Sequence, residues 1–148
     1  MARSVSSIML AAGLGALAVV PFAAGVYYAW SHDNQAAALT LDGLLAYLAT
    51  IVSFIGGVQW GQMLAAKHAP PQDMVLAVVP ALIAWPALLM NGPWPFFMLL
   101  GALIVAWLAD ENGARRGWLG HGYLQLRRVL TLVVAACVVV VGWRVMRG

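Results

Sequence analysis

The chain has little charge: Asp, Glu, Lys and Arg make up only 9% of its 148 residues, where soluble domains carry about a quarter. That deficit excludes an exterior built for water. It also leaves no polar stretch long enough to fold as a soluble domain, so one membrane-embedded helical unit over residues 1–148 is expected. Cysteine is nearly absent. Cys137 is alone, so no intramolecular disulfide can form, and no Cys/His spacing suits a metal. His32, His68 and His121 all fall between apolar runs, so no two can act as axial haem ligands within the membrane. No apolar run holds a lysine for a Schiff base, and neither a His-Glu-x-x-His motif nor a phosphate loop occurs. These absences weigh against redox, protease and nucleotide chemistry, so the chain reads as non-enzymatic and without a cofactor. Its net charge of +3 fits loop Lys and Arg that orient a membrane protein and meet anionic lipid. The expected partner is the lipid bilayer and not nucleic acid.

What the chain has is apolar length: 64% of its residues are hydrophobic and its mean hydropathy is +0.88. The runs fall at about 8–30, 41–66, 74–90, 95–109 and 129–145, which predicts an all-α integral membrane bundle of five transmembrane helices. The first run has the positive start and small residues of a signal peptide, but it is longer than a signal core. It also closes on Tyr27, Tyr28 and Trp30, an aromatic pattern of the bilayer interface, so a retained helix kinked at Pro21 is expected. Asp73 is placed to cap the third run, which is short and carries Pro80 and Pro86, so a bent helix beside the second is expected. Asn91-Gly92-Pro93-Trp94-Pro95 is a tight turn into the fourth run, which Asp110 and Glu111 close. Residues 112–128 hold four glycines and read as an irregular loop with a helix restarting near Tyr123.

With the N-terminus inside, the inner segments hold Arg3, Lys67, Arg115, Arg116, Arg127 and Arg128, and the outer ones only Arg144 and Arg147. The basic excess marks the cytoplasmic side. The expectation is a multi-pass protein of the bacterial inner membrane with a cytoplasmic N-terminus.

The second run carries the most information. Ala49, Ser53, Gly57 and Gly61 recur every four residues and share one helix face, with Gly56 beside them. Small residues at this spacing let helix backbones approach closely, so these five form the expected helix-packing set. The rival is a groove for a small molecule, with Gln59, Trp60, Gln62 and Trp85 as the pocket between the second and third helices. An amide in hydrocarbon needs a partner, so Gln59 and Gln62 are expected either to line such a pocket or to bond another helix. Asp110 sits at a span end near Arg115 and Arg116, so an interfacial ion pair is expected there, and Arg127 lies in the same polar zone. Trp30, Trp94, Trp118 and Trp143 fall near interfaces, which leaves Trp60, Trp85 and Trp107 as candidate pocket walls.

Ser53-Phe54-Ile55-Gly56-Gly57-Val58-Gln59-Trp60-Gly61 resembles the signature of the small membrane family named for transmembrane protein 69, a domain of unknown function. The likeness extends to Pro21-Phe22, to Pro80 and Trp85, to Asp110, and to Tyr123, Leu124, Leu126 and Arg127 leading to Leu130-Thr131. Family members typically have histidine where this chain has Gln59, so no titrating or metal-binding role carries over to that position. The resemblance implies a multi-span protein of bacterial or mitochondrial inner membranes and supplies no activity. The five-span, Trp-rich outline is also similar in size and span count to the tryptophan-rich sensory proteins, an analogy of outline alone.

Two functions are therefore expected in order. The first is a non-enzymatic membrane protein that packs with itself, as a homo-oligomer, or with a larger membrane complex through the second helix. The alternative is a small-molecule binding or transport protein with a pocket between the second and third helices.

Overall fold

The computed structural model describes the backbone of residues 2–32, 35–66 and 70–147, with side chains from Met9 onward. The described residues form five α-helices: α1 (Ala2–Ser31), α2 (Gln35–Ala65), α3 (Pro71–Ala87), α4 (Trp94–Arg115) and α5 (His121–Arg147). α1, α2, α4 and α5 are long and apolar enough to cross a membrane, whereas α3 has 17 residues.

The helices run beyond the apolar windows. Gln35 and the alanines at 36–38 are good helix formers, so α2 starts several residues before the apolar run does. Likewise α4 continues through Asp110, Glu111 and Asn112 to Arg115, so the first part of the expected irregular loop is helical. It stops where Gly117 takes φ +82°. The Gly117 N–H donates to the Ala114 carbonyl and the Trp118 N–H to the Gly113 carbonyl, the paired bonds of a Schellman ending. α3 opens with Pro71 in its first turn, where a missing N–H costs nothing. Asp73 makes no capping bond there, contrary to expectation; its carboxylate is turned to the segment that follows α4.

The interhelical bonds give the packing. Tyr47 donates to the Ala18 carbonyl, Trp60 to Met74, and Arg127 meets Asp110, so sequence neighbours run antiparallel. α1 packs on α2 and α5, α3 on α2 and α4, and α2 crosses to α4 through the middle. The Tyr47 bond lies beside the carbonyl of Leu17, which Pro21 deprives of its helical donor. The core is Leu44, Leu48, Val52, Leu99, Leu103 and Val138 with small Ala102 and Ala106 between them. Outside, large apolar side chains such as Leu17, Phe54, Leu82, Leu108, Val129 and Leu132 are exposed. A surface of that kind is stable in lipid, where burial of the backbone polar groups inside helices is the main demand.

Candidate functional site

Within this apolar bundle the polar groups gather where α2, α4 and α5 meet. Gln59, Asp110, Arg127 and Thr131 are all buried, Gln59 and Asp110 completely. Gln59 Nε2 donates to Asp110 Oδ1 at 2.8 Å and to the Ala106 carbonyl at 2.8 Å. The other carboxylate oxygen, Oδ2, accepts from Arg127 Nε at 2.9 Å. Three helices are thus tied by one carboxylate. A lone charge here would cost several kcal/mol, and the opposite charge together with hydrogen bonds to both oxygens offsets it.

A second layer flanks the first toward the chain's α4–α5 connection. Arg128 grips Glu111 with two donors, Nη2 to Oε2 at 2.7 Å, and Trp107 donates to the same carboxylate at 3.1 Å. Asp73, also buried, accepts from Arg116 Nη1 at 3.0 Å and from Trp118 Nε1 at 3.1 Å. The start of α3 is so joined to the turn after α4.

The expected ion pair was therefore right in chemistry and wrong in partners. Asp110 is fully buried among protein groups, and its partner is Arg127 rather than Arg115 or Arg116. Arg115 and Arg116 lie more than one turn further along α4, whereas the buried carboxylate of Asp110 faces α5 and α2.

The four residues expected to form the α2–α3 pocket are not brought together. Gln59 turns to α4, which removes it from any α2–α3 space. Trp60 lies along the outside with its indole N–H on the Met74 carbonyl at 2.7 Å. Trp85 is exposed, and Gln62 keeps a buried Oε1 without a partner. Between α2 and α3 is a shallow open groove lined by Ala49, Ser53, Ala81, Ala84 and Trp85. The packing set also divides. Ala49 and Gly56 are buried, but Ser53, Gly57 and Gly61 point outward. The close approach is at Gly56, where a Cβ would overlap the Ala77 carbonyl oxygen, whereas a Cβ on Gly57 or Gly61 would meet nothing within 4 Å. Gly56 and Gly57 differ by about 100° around the helix, and it is the 56 side that faces α3.

A cavity of about 350 Å³ lies between α1, α2 and α5. Its walls are Leu14, Val19, Phe22, Ile51, Ile55, Leu130 and other apolar groups, and α5 contributes Tyr123, Arg127 and Thr131 to it. Sequence reading missed it. Its only polar signal was the spacing Tyr123, Arg127, Thr131, one α5 face at four-residue intervals.

A family model described as "Protein of unknown function (DUF3429)" matches residues 8–142. No curated protein and no solved structure matches the chain.

Proposed function

The chain belongs to the DUF3429 family of proteins of unknown function, and from that premise we propose a non-enzymatic, five-span inner-membrane protein that assembles with a second copy through the outward face of α2. The observation that carries this reading is the exposure of Ser53, Gly57 and Gly61, continuous with the groove along Ala81 and Trp85. Elsewhere the exterior is studded with Leu, Val and Phe, which suit lipid. A strip of bare backbone offers lipid tails little to pack against, and it lets another helix come close. A second copy is the favoured partner because small residues fit small residues, so the strip is complementary to itself about a two-fold axis.

The likeness of Ser53–Gly61 to the transmembrane protein 69 group supports placing the chain near that group within the family. The fifth crossing is supported by the apolar residues that extend α3. Seventeen helical residues cover about 26 Å, and Leu88, Leu89 and Met90 continue the apolar stretch past the helix end. The basic excess at the end of the bundle holding Arg115, Arg116, Arg127 and Arg128 supports a cytoplasmic N-terminus in a bacterial inner membrane.

Cysteine cross-linking in native membranes tests the assembly. With Cys137 first replaced by serine, Gly57→Cys and Gly61→Cys should give disulfide-linked dimers on mild oxidation, and Leu132→Cys on the exposed face of α5 should not. Dimers from Leu132→Cys alone would move the interface to α5 and end this reading.

A further inference from the structure

The α1–α2–α5 cavity carries more than its shape. It is apolar over nearly all its wall, and two of its lining residues hold buried polar atoms with no partner: Arg127 Nη2 and Thr131 Oγ1. Arg127 is 7% and Thr131 3% exposed, so neither atom is met by bulk water. They stand one turn apart on α5. A buried donor without an acceptor is costly and rare, and in a membrane interior it is not relieved by solvent. We propose that the cavity binds a neutral amphiphile whose carbonyl oxygen, of a ketone or an ester, accepts from Arg127 and Thr131 while its apolar body lies against Leu14, Val19, Phe22 and Ile55.

The charge of the head follows from the neighbours. Arg127 already balances Asp110, which has no exposed surface. Arg128, next along α5, is engaged by Glu111. A carboxylate or phosphate would bring net negative charge beside a buried Asp110 whose counter-charge, Arg127, is already engaged, and desolvation would oppose it. A neutral carbonyl uses the idle N–H and O–H donors and changes no charge. A guanidinium suits this task because its five N–H donors allow one edge to hold Asp110 while another remains for a ligand. The volume lies within the range of small-molecule pockets, about 300–1,000 Å³.

The test uses the purified full chain in detergent with four probes of matched chain length: an alkyl-substituted benzoquinone, a fatty-acid methyl ester, the corresponding alkane and the corresponding carboxylate. Binding is read by melting temperature across a titration. For the two carbonyl probes, the infrared stretch of a ¹³C-labelled carbonyl is read as well. The carbonyl probes should bind more tightly than the alkane and the carboxylate, with the stretch moved to lower frequency. Binding by one carbonyl probe and not the other supports the proposal and tells a quinone ring from a lipid ester. Thr131→Val keeps the side-chain shape and touches no ion pair, so it should fold normally, weaken the carbonyl probes about three- to tenfold and leave the alkane unchanged. Val58→Phe, which places a ring in the cavity, should abolish binding of all four. Equal binding of ester and alkane, tighter binding of the carboxylate, or an unshifted carbonyl stretch would each overturn the proposal. So would carbonyl affinities that Thr131→Val does not alter.

Discussion

Asp110 and Arg127 meet at 2.9 Å inside a protein whose exterior is studded with large apolar side chains. They come from adjacent helices, and Gln59 of α2 closes the set from the other side of the carboxylate. A buried ionisable group is costly unless an opposite charge and hydrogen bonds meet it. Here the pair fixes which faces of α2, α4 and α5 meet, and it also holds Arg127 beside the α1–α2–α5 cavity.

Asp110→Asn should therefore destabilise the bundle strongly. It preserves the shape and the acceptor for Gln59 but leaves Arg127 as a buried, uncompensated charge, at a cost of about 3–5 kcal/mol. Combining it with Arg127→Met removes the stranded charge and should restore most of the loss, because buried pairs are often replaceable by apolar groups. Melting of both variants in detergent checks this. A double variant no more stable than the single one would mean that the pair contributes more than mutual compensation.

Gly56→Ala should be more damaging than Gly57→Ala. The added methyl on Gly56 runs into the Ala77 backbone, which moves only if α2 and α3 separate, whereas the one on Gly57 enters open space. Overpacking costs about 1–3 kcal/mol, and the Gly57 variant should stay within about 0.5 kcal/mol of the parent. Gly57→Leu should likewise leave the melting of a monomer intact while abolishing the disulfide-linked dimer of a Gly61→Cys background. If Gly57→Ala is instead the damaging change in a monodisperse monomer, the packing face has been assigned to the wrong glycine.

How far the sequence could be read follows from these residues. Helix type was legible because apolar length has few other uses, and the ends near Ser31 and Ala65 were placed within a few residues. The helical continuation past Asp110 was not legible, since the polar residues there look like loop until Gly117 reveals the stop one turn later. The four-residue spacing of Ala49, Ser53, Gly57 and Gly61 puts them on one line, but spacing cannot say which part of a line meets a neighbour: Ala49 is buried and the other three are exposed. Gly56, off that line, took the contact. Gln59 was read as needing a partner, and its partner was unreadable because Asp110 lies 51 residues away. The cavity had no sequence signature beyond a tyrosine, an arginine and a threonine spaced along one helix.

The arrangement of charges gives a topology that fusions can measure. A reporter active only in the cytoplasm should work when inserted after Arg116 and fail when fused after Gly148, with the reverse for a periplasmic reporter. The motive is the six-to-two division of basic residues and the antiparallel run of neighbouring helices. Both termini on one side would require that α3 or another short run does not cross.

The turn after α4 supplies the last test. Gly117 holds φ +82° with open space around it, so the cost of a side chain there is backbone strain alone. A residue other than glycine in this conformation costs about 1–2 kcal/mol, and asparagine tolerates it better than alanine does. Gly117→Ala should thus lower stability by about 1 kcal/mol, and Gly117→Asn by less. The strain has a structural consequence, because Gly117 sets the positions of Arg116 and Trp118, the two donors that hold Asp73 at the start of α3. Asp73→Ala removes the acceptor itself and leaves both donors idle, so it should be at least as harmful as Gly117→Ala. The two changes act on one connection, so the double variant should cost less than the sum of the singles. Melting of the three variants decides the matter: full additivity would show that the Schellman turn and the Asp73 staple stabilise α4 and α3 independently.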